Sequence, residues 1–386
     1  MKNSFSKIKP ICTIVSHTPY STDSEGVIVG LGPTIEEIDY LASLFSKVFH
    51  CAPIDDKIAP PSFLKHKNTN VHLIPLKPVG GDTLRKKIMH IFFFPHHLKQ
   101  IKSCLIESDI LHVRAPTGIN VLLLPWIFFF WRKLTWVKYA GSWDDSSVPL
   151  TYKFQRWLLK ASPKRVKISI NNNISNKKRN FFQFINPCFS ESNLAYATEI
   201  SRKKVFDKKI NILFVGRLEK KKGLDDLLLL IKKINNTEKI NSLTIVGTSK
   251  IKHRYENMAK SIPFKTIFTG SISRKEVFKY YAKSHILVLL SKTEGFPKVI
   301  MEAGSFGCVP IVSNIPNITT KIIHMYNGFI LESESVSINA QSFKNILNDP
   351  TKLKFCSKNI VMDAKNFTFE NYLSQIKNAF LFKISQ

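Results

Sequence analysis

The stretch that decides the fold runs from Ile210 to Ile234 and reads INILFVGRLEKKKGLDDLLLLIKKI. Its mostly apolar first six residues form a short run, which predicts a buried parallel strand over Ile210–Val215. A basic loop with two glycines follows, and the apolar spacing from Leu224 onward predicts a helix to Ile234. Strand, glycine loop and helix in this order indicate the beginning of a βαβ unit.

The same alternation of strands and helices extends through both halves of the chain. Further strands are predicted at Ile11–Ser16, Lys47–Ala52, Val71–Leu76, Asp109–Val113, Thr135–Ala140, Arg165–Ile170, Ser242–Val246, Thr266–Thr269, Ile286–Leu290 and Val309–Val312. Further helices are predicted from Pro33, with Thr34 and Glu37 at capping-box spacing, and at Ile101–Glu107, Gly118–Trp131, Leu150–Lys160, Tyr255–Lys260, Lys275–Lys283, Pro297–Phe306 and Glu370–Phe382. This alternation predicts an α/β protein with two doubly wound domains that face each other across a ligand cleft.

A polar and then basic region marks the joint between the two domains. We predict an N-terminal domain over residues 1–195, a C-terminal domain over residues 205–370, and a final helix over residues 371–386 that returns to the N-terminal domain. The length of 386 residues fits two or three domains of ordinary size.

The chain is strongly basic, with 57 Lys+Arg, 28 Asp+Glu and a formal net charge of +29. Such a charge favours anionic partners, namely phosphorylated ligands, an acidic membrane surface or nucleic acid. The alternative is composition bias with a solvated basic surface. No helix-turn-helix, finger or RNA-binding signature accompanies the charge, so we do not expect nucleic acid as a partner.

Cysteine spacing and apolar run lengths bear on compartment and metal binding. The six cysteines are scattered singly, without CxxC pairs or Cys/His clusters, which predicts free thiols in a reducing compartment and no metal site. The apolar stretch Gly118–Trp131 has 14 residues, fewer than the ~20 needed to span a bilayer. The apolar run Ile11–Val15 is too short for a signal-peptide core, so we expect a cytoplasmic protein.

The loop after the Ile210–Val215 strand carries a candidate anion site. Gly216 allows close backbone approach, Arg217 offers a forked donor, and Lys222 stands at the mouth of the next helix. An arginine, a lysine and a helix N-terminus on one loop suit a diphosphate. The alternative is a basic, solvated surface turn.

The segment EGFPKVIMEAGSFG, which begins at Glu294, carries a candidate sugar site. The carboxylates of Glu294 and Glu302 can accept hydrogen bonds from the vicinal hydroxyls of a sugar and a ribose. Gly295 and Phe296 place backbone N–H groups at a helix N-terminus, where negative charge is favoured. The alternative is that both carboxylates are ordinary surface charges. Their position on one loop–helix unit disfavours the acid and nucleophile roles of a glycoside hydrolase.

These two segments, with TGSISRKEVFKYYAKSHILVLLS (269–291) between them, resemble the C-terminal domain of the retaining family-4 glycosyltransferases. The resemblance covers residues 210–330 and implies the GT-B fold. It also implies transfer of a sugar from a nucleotide-diphosphate sugar to a glycan hydroxyl, with retention of configuration. Because Arg217 and Lys222 can supply the positive charge that a metal would otherwise give, we expect no metal or other cofactor. A non-catalytic protein that binds nucleotide sugars or glycans on the same fold is the alternative.

The resemblance implies roles for individual residues. Arg217 and Lys222 would bind the diphosphate and stabilise the leaving group, Glu302 would hold the ribose, and Glu294 would contact the transferred sugar. Arg217, Lys222 and Glu294 are thus the candidate catalytic residues. Further donor contacts are implied for Gly216, Ile272, Gly295, Phe296, Lys298, Gly30 and Gly32. Pro297 departs from the family pattern and lacks the N–H that many relatives offer there.

Two strand ends in the first half carry candidates for acceptor binding. Arg114 stands where relatives often have a histidine, and Trp143 and Asp144 follow another strand. A structural role is the alternative for each.

Two aromatic segments, His90–Phe94 and Leu122–Trp131, are flanked by basic residues. An apolar face with a basic rim fits an anionic leaflet. We expect Leu122–Phe130 to be mainly core and part of 86–102 to contact the inner face of the cell membrane. Such docking would suit a lipid-linked or cell-surface glycan acceptor, as in lipopolysaccharide or capsule synthesis.

Overall fold

The computed structural model describes residues 9–80, 84–141, 143, 148–171, 180–234, 238–333 and 335–381. The chain forms two compact units, one of Met1–Phe184 with Leu373–Gln386 and the other of Ile185–Tyr372.

The first unit is built on a mainly parallel sheet of ten strands. The strands are β1 (Ile11–Val15), β2 (Tyr20–Thr22), β3 (Ile28–Leu31), β4 (Lys47–Ile58), β5 (Phe63–Leu64), β6 (Val71–Leu76), β7 (Ile110–Ala115), β8 (Leu134–Tyr139), β9 (Val166–Ile170) and β10 (Phe181–Gln183). They lie in the order β10-β9-β8-β7-β1-β4-β2-β3-β5, and β6 pairs with β4. Its helices are α1 (Gly32–Ala42), α2 (Leu84–Glu107), α3 (Asn120–Phe130) and α4 (Leu150–Lys160).

The beginning of α1 differs from the sequence prediction. The helix begins at Gly32 with Leu31 as its N-cap, and no side chain caps it. The predicted capping box is therefore wrong. The Glu37 side chain is 1% exposed and pairs with Arg114 and Lys138, because two buried cations hold it more strongly than one backbone N–H would.

The predicted glycine loop is not a loop in the structure. Gly30 lies in β3 and Gly32 is the first residue of α1. A Cβ on Gly30 would approach the Ile35 side chain to 2.6 Å, and one on Gly32 would approach the Ser62 carbonyl to 2.5 Å. Close packing thus explains why both positions are glycine. Their predicted contacts with the donor remain predictions.

The aromatic segments of α2 and α3 are partly core and partly surface. Leu123, Leu124 and Ile127 of α3 are fully buried, as predicted, whereas Phe129 and Phe130 at its end are about 70% exposed. On α2 the exposed apolar residues include Ile88, Ile91 and Phe92 near its beginning and Ile106 at its end. No helix among the residues described above is both long and apolar enough to cross a bilayer.

The second unit is built on a fully parallel sheet. Its strands are β11 (Ile210–Val215), β12 (Ile240–Val246), β13 (Lys265–Gly270), β14 (Ile286–Leu289), β15 (Val309–Ser313) and β16 (Phe329–Leu331). They lie in the order β13-β12-β11-β14-β15-β16. Its helices are α5 (Glu191–Arg202), α6 (Leu224–Lys233), α7 (Lys252–Ala259), α8 (Arg274–Lys283), α9 (Lys298–Ser305), α10 (Pro316–Thr319), α11 (Val336–Leu347) and α12 (Pro350–Ala364), and α13 (Phe369–Ile376) crosses the division between the units.

Most predicted elements of the second unit are confirmed within a few residues, but α5, α10, α11, α12 and β16 were not predicted. The helix α5 occupies much of the region interpreted as the joint, and the structure divides the chain after Phe184 instead. Ser190 caps α5 by accepting from the Asn193 N–H, and Ala197 is buried. All six cysteines are buried and free.

The strand order of the second sheet defines a topological switch point, which is the place where the order of the strands reverses. The first strand of the unit, β11, lies between β12 and β14, so the chain leaves it toward one side and returns on the other. Ligands of open α/β sheets bind at the carboxyl ends of the strands beside such a point. The loops after β11 and β14 carry six of the predicted donor residues, namely Gly216, Arg217, Lys222, Glu294, Gly295 and Phe296.

Candidate functional site

The loops after β11 and β14 contact each other through backbone groups. Gly223 precedes α6 with φ +74°, and a Cβ there would lie 1.9 Å from the Leu290 carbonyl oxygen. Glycine is therefore required both by conformation and by space. The Lys292 N–H donates to the Lys221 carbonyl at 2.9 Å. The two motifs thus form one continuous surface at the switch point.

Lys222 and Glu294 join the two loops through their side chains. The Lys222 Nζ lies 2.5 Å from Glu294 Oε1, and the two side chains are 20% and 9% exposed. The Ser291 hydroxyl donates to the same carboxylate oxygen at 2.8 Å, and the Asn317 amide donates to the Glu294 carbonyl. Two predicted catalytic residues are therefore in direct contact, and the carboxylate is held in one orientation.

Arg217 lies on the same loop but is open to solvent. Its side chain is 68% exposed, and it pairs with Glu219 at 2.9 Å. Glu219 also pairs with Lys221. Although partial burial opposes it, Lys221 and Arg217 lower the pKa of Glu219 below its usual value. An anion that binds Arg217 would replace its exposed ion pair with Glu219, and such a pair contributes little to stability in water.

Glu302 lies inside a buried polar group. Its carboxylate accepts from Arg274 at 3.0 Å and from the Tyr281 hydroxyl at 3.1 Å. Burial and the neighbouring Glu302 raise the pKa of Tyr281, so the phenol stays a donor. The carboxylate of Glu302 therefore already accepts hydrogen bonds from two side chains of the protein. Its predicted contact with ribose hydroxyls remains a prediction.

The remaining predicted donor residues of this unit lie around α9. Gly295 and Phe296 immediately precede the helix, whose N-cap is Pro297 and whose first residue is Lys298. The Phe296 ring stacks on Phe367 with centroids 5.4 Å apart. Ile272 packs against the core in the segment between β13 and α8.

The predicted acceptor residues belong to the first unit. Arg114 donates to Glu37 at 2.7 Å, and Lys138 donates to the same oxygen at 2.6 Å. Trp143 packs edge-on against Tyr139 and Phe181, at 5.0 and 5.3 Å. Packing and pairing therefore account for both predicted residues, and their contact with an acceptor remains a prediction. Asp144 lies outside the described residues.

Sequence reasoning missed the residues that support the site. Ser291 and Asn317 hold Glu294, and Arg274 and Tyr281 hold Glu302. Ser273 and Glu276 form a capping box at the start of α8, and this sequence pattern predicts that Arg274 is the first residue of the helix. Across the residues described, no group of three or more His, Cys, Asp or Glu could hold a metal ion.

Comparison with known proteins finds a family match within the second unit. Residues 197–361 match the family model described as glycosyl transferases group 1. A Campylobacter jejuni protein is 27% identical over 204 residues, which are 50% of this chain and 55% of that protein. It is named GalNAc-alpha-(1->4)-GalNAc-alpha-(1->3)-diNAcBac-PP-undecaprenol alpha-1,4-N-acetyl-D-galactosaminyltransferase. The chain spans about half the length of the curated relatives it matches.

Two solved structures resemble nearly the whole chain. The sucrose-phosphate synthase of Thermosynechococcus elongatus has a TM-score of 0.72 at 14% identity and covers 97% of this chain and 99% of its own. The Anabaena protein Alr3699/HepE, solved in complex with UDP-glucose, has a TM-score of 0.68 at 11% identity and covers 97% and 100%. Structural similarity at 11–14% sequence identity shows only that the folds are alike. It confirms the predicted GT-B architecture of α/β domains.

Proposed function

Because residues 197–361 belong to the glycosyl transferases group 1 family, we propose that this protein transfers a sugar from a nucleotide-diphosphate sugar to a hydroxyl of a glycan acceptor. The observation that carries the proposal is the contact between Lys222 and Glu294 at the switch point of the second sheet. It brings a diphosphate-binding cation and a sugar-binding carboxylate within reach of one ligand.

The proposed chemistry is positioning and charge stabilisation. As the bond between the sugar and the diphosphate breaks, negative charge develops on the leaving phosphate. Arg217 and Lys222 can stabilise that charge through charge-assisted hydrogen bonds. Two cations at this place supply what a metal supplies in other transferases, so we propose a metal-independent reaction. Retention of configuration follows from the family resemblance.

The acceptor is proposed to be a lipid-linked or cell-surface glycan. The undecaprenol-linked glycan in the name of the Campylobacter relative supports a lipid-linked acceptor. The UDP-glucose in the HepE complex supports a nucleotide-sugar donor. The assay below determines which sugar is transferred and which linkage is formed.

Exposed apolar residues in the first unit support binding to an anionic membrane surface. On α4, Leu150 and Trp157 are 80% and 61% exposed, and on α2, Phe92 is 76% exposed. The helix α3 packs against both α2 and α4, and lysines such as Lys153 accompany the apolar residues. Aromatic side chains beside lysines suit the interface of an anionic leaflet. Pelleting with anionic vesicles at low salt tests this proposal, and neutral vesicles are the control.

A donor screen tests the central proposal. Purified protein is heated with UDP, GDP, ADP and their common sugars, and the ligand that binds raises the melting temperature. The sugar nucleotide so identified is then incubated with lipid-linked glycan acceptors, and transfer is followed by mass spectrometry. Stabilisation without transfer to any acceptor would favour the alternative, a non-catalytic nucleotide-sugar-binding protein.

A further inference from the structure

A cavity of about 590 Å³ lies at the carboxyl edge of the second sheet. Its walls are the loops that follow β14, β15 and β16, together with parts of α6 and α11. These three strands are adjacent and parallel, so their loops meet at the edge where α/β sheets bind ligands. The volume falls within the range of about 300–1,000 Å³ that is usual for small-molecule sites. We call this space the edge cavity.

Hydrogen bonds between its walls hold the edge cavity in shape. The Ser313 hydroxyl donates to the Ser291 carbonyl at 2.5 Å and thereby joins the end of β15 to the loop after β14. The Asn339 amide donates to the Ser333 carbonyl at 2.7 Å and joins α11 to the loop after β16. The walls are therefore ordered by the protein itself, which reduces the entropy that a ligand must lose on binding.

Four polar side chains of the edge cavity are available to a ligand. The side chains of Asp226, Lys292, Asn314 and Glu332 line it, and none of them forms a hydrogen bond or ion pair with another residue in the described part of the chain. The two carboxylates only accept hydrogen bonds, the ammonium only donates, and the amide does both. A ligand with several donors and acceptors can therefore replace the water on all four.

The mixture of groups favours a neutral polyol over other classes of ligand. An anion would lie between the carboxylates of Asp226 and Glu332, and a cation would lie near the Lys292 ammonium. An apolar molecule would cover these groups without giving them hydrogen bonds, which costs free energy. Leu230 and Leu331 add apolar surface to the same walls. A sugar ring fits this lining, because it has hydroxyls at its rim and C–H groups on its faces.

The edge cavity and the candidate donor site share the loop after β14. Ser291 lines the cavity, and its hydroxyl donates to Glu294 Oε1 at 2.8 Å. The neighbouring Lys292 N–H donates to the Lys221 carbonyl at 2.9 Å, immediately before Lys222. A sugar in the edge cavity would therefore lie beside the loop that is proposed to hold the transferred sugar.

A second cavity of about 560 Å³ adjoins the first. Its lining includes His324 and Phe329, whose rings pack edge-on with centroids 6.0 Å apart and add aromatic surface. Two adjoining cavities suit a ligand made of linked units better than a single ring. The two cavities have four lining residues in common, namely Leu331, Glu332, Ser333 and Asn339.

We propose that the edge cavity binds a neutral sugar unit of the acceptor glycan and that the second cavity binds a further unit of the same chain. The proposal rests on the proposed function, because it names the acceptor as the source of the sugar. It places acceptor binding partly on the second unit, beside the donor loop. It also makes transfer depend on sugars other than the one that carries the reacting hydroxyl.

Glycan binding without any donor tests the edge cavity directly. Labelled protein is applied to an array of immobilised neutral and acidic glycans, and the wild type should retain neutral glycans of two or more units. Asn314 is exposed at the cavity, so in Asn314→Trp the indole should fill the space and weaken retention by roughly tenfold or more.

An equal substitution at another exposed position is the matched control for this assay. Asn257→Trp, on α7, should retain the same glycans as the wild type, and melting temperatures verify that both variants fold. Wild-type protein that retains no neutral glycan would overturn the proposal. Equal retention by Asn314→Trp and the wild type would overturn it as well.

Steady-state kinetics test the use of the cavities in transfer. With an acceptor of several sugars, Asn314→Trp should raise the KM for the acceptor by roughly tenfold or more, while kcat and the KM for the donor stay unchanged. Ser342 lines the second cavity, so Ser342→Trp should raise the KM for long acceptors and leave that for short ones unchanged. No effect of Ser342→Trp on any acceptor would reject the role of the second cavity.

The two proposals fail in distinguishable ways. Wild-type protein that transfers no sugar, yet retains neutral glycans through the edge cavity, would reject the glycosyltransferase function and make a free glycan the source of the bound sugar. Active wild-type protein whose acceptor KM is unchanged in Asn314→Trp would reject the edge cavity as an acceptor site and leave the transferase function intact.

Discussion

Lys222 and Glu294 are separated by 72 positions in the chain, yet Lys222 Nζ lies 2.5 Å from Glu294 Oε1. The contact exists because β11 and β14 are adjacent parallel strands, so that their following loops meet at one edge of the sheet. Neither residue needs the other for local structure. Their pairing at a switch point is the arrangement expected of a ligand site.

Loss of either predicted phosphate-binding cation should slow transfer. A charge-assisted hydrogen bond contributes about 1.5–3 kcal/mol, so Arg217→Ala and Lys222→Ala should each lower kcat by roughly tenfold or more. Lys221→Ala is the matched control, because Lys221 lies on the same loop and pairs with Glu219 at the surface. Steady-state transfer rates provide the measurement, and near wild-type rates in both test variants would reject the assigned roles.

Lys222 and Glu294 should be energetically coupled. Neighbouring groups in one network show interaction free energies of about 0.5–3 kcal/mol, and this pair is largely shielded from water. We expect about 1 kcal/mol of coupling in the free energy of unfolding for Lys222→Met, Glu294→Gln and the double variant. Urea unfolding measures it. Additive effects within error would show that the contact contributes nothing to the folded state.

Gly223→Ala should be far more destabilising than the same change at a glycine with a similar φ. Gly223 has φ +74° and a carbonyl oxygen 1.9 Å from the Cβ position, whereas Gly270 has φ +73° and nothing within 4 Å. Left-handed backbone alone costs about 1–2 kcal/mol for a side chain, which is the effect expected for Gly270→Ala. Gly223→Ala adds a collision with backbone and should exceed that value in urea unfolding. Equal effects would contradict the close approach of the two loops.

Local patterns predicted the strands and loops of the donor site because the information lies in neighbouring residues. The apolar run of β11 and the glycine at position 223 are local signals, and both loops were placed correctly. Glu37 was assigned to a capping box, because its partners Arg114 and Lys138 lie 77 and 101 positions away. A sequence pattern carries no sign of such partners. The residues that hold Glu302 were missed for the same reason.

The helix α5 shows a second limit of sequence reasoning. A polar and basic segment is typical of a linker, and the region around residues 195–205 was interpreted as the joint between the two domains. The structure buries Ala197 and caps the helix with Ser190, so a narrow apolar face is sufficient once the rest of the unit covers it. The structure therefore places the division between the units before this helix.

Transfer should be independent of divalent metal. Arg217 and Lys222 are proposed to stabilise the departing diphosphate, so chelation by EDTA should leave the rate unchanged. The assay compares rates after EDTA treatment with rates in added Mg²⁺ or Mn²⁺, using protein freed of metal by dialysis. Activity abolished by EDTA and restored by Mn²⁺ would contradict the proposed role of the two cations.

His285 should make the folded state less stable in acid. Burial, with repulsion from Lys204, lowers its pKa from 6.5 to about 4, and its Nδ1 accepts from the Asn211 N–H at 2.9 Å. Because the unfolded chain binds this proton more readily, stability is full above the unfolded pKa and falls as the pH drops toward 4. One proton corresponds to about 1.4 kcal/mol per pH unit.

The variant His285→Asn isolates this effect. An amide oxygen at the same place can accept from the Asn211 N–H but does not titrate, so the free energy of unfolding should depend less steeply on pH between about 6.5 and 4. Urea unfolding at several pH values measures the slope. His253→Asn is the control, because His253 is 94% exposed and should leave the slope nearly unchanged. An identical slope in His285→Asn and the wild type would show that His285 is protonated as easily in the folded state as in the unfolded one.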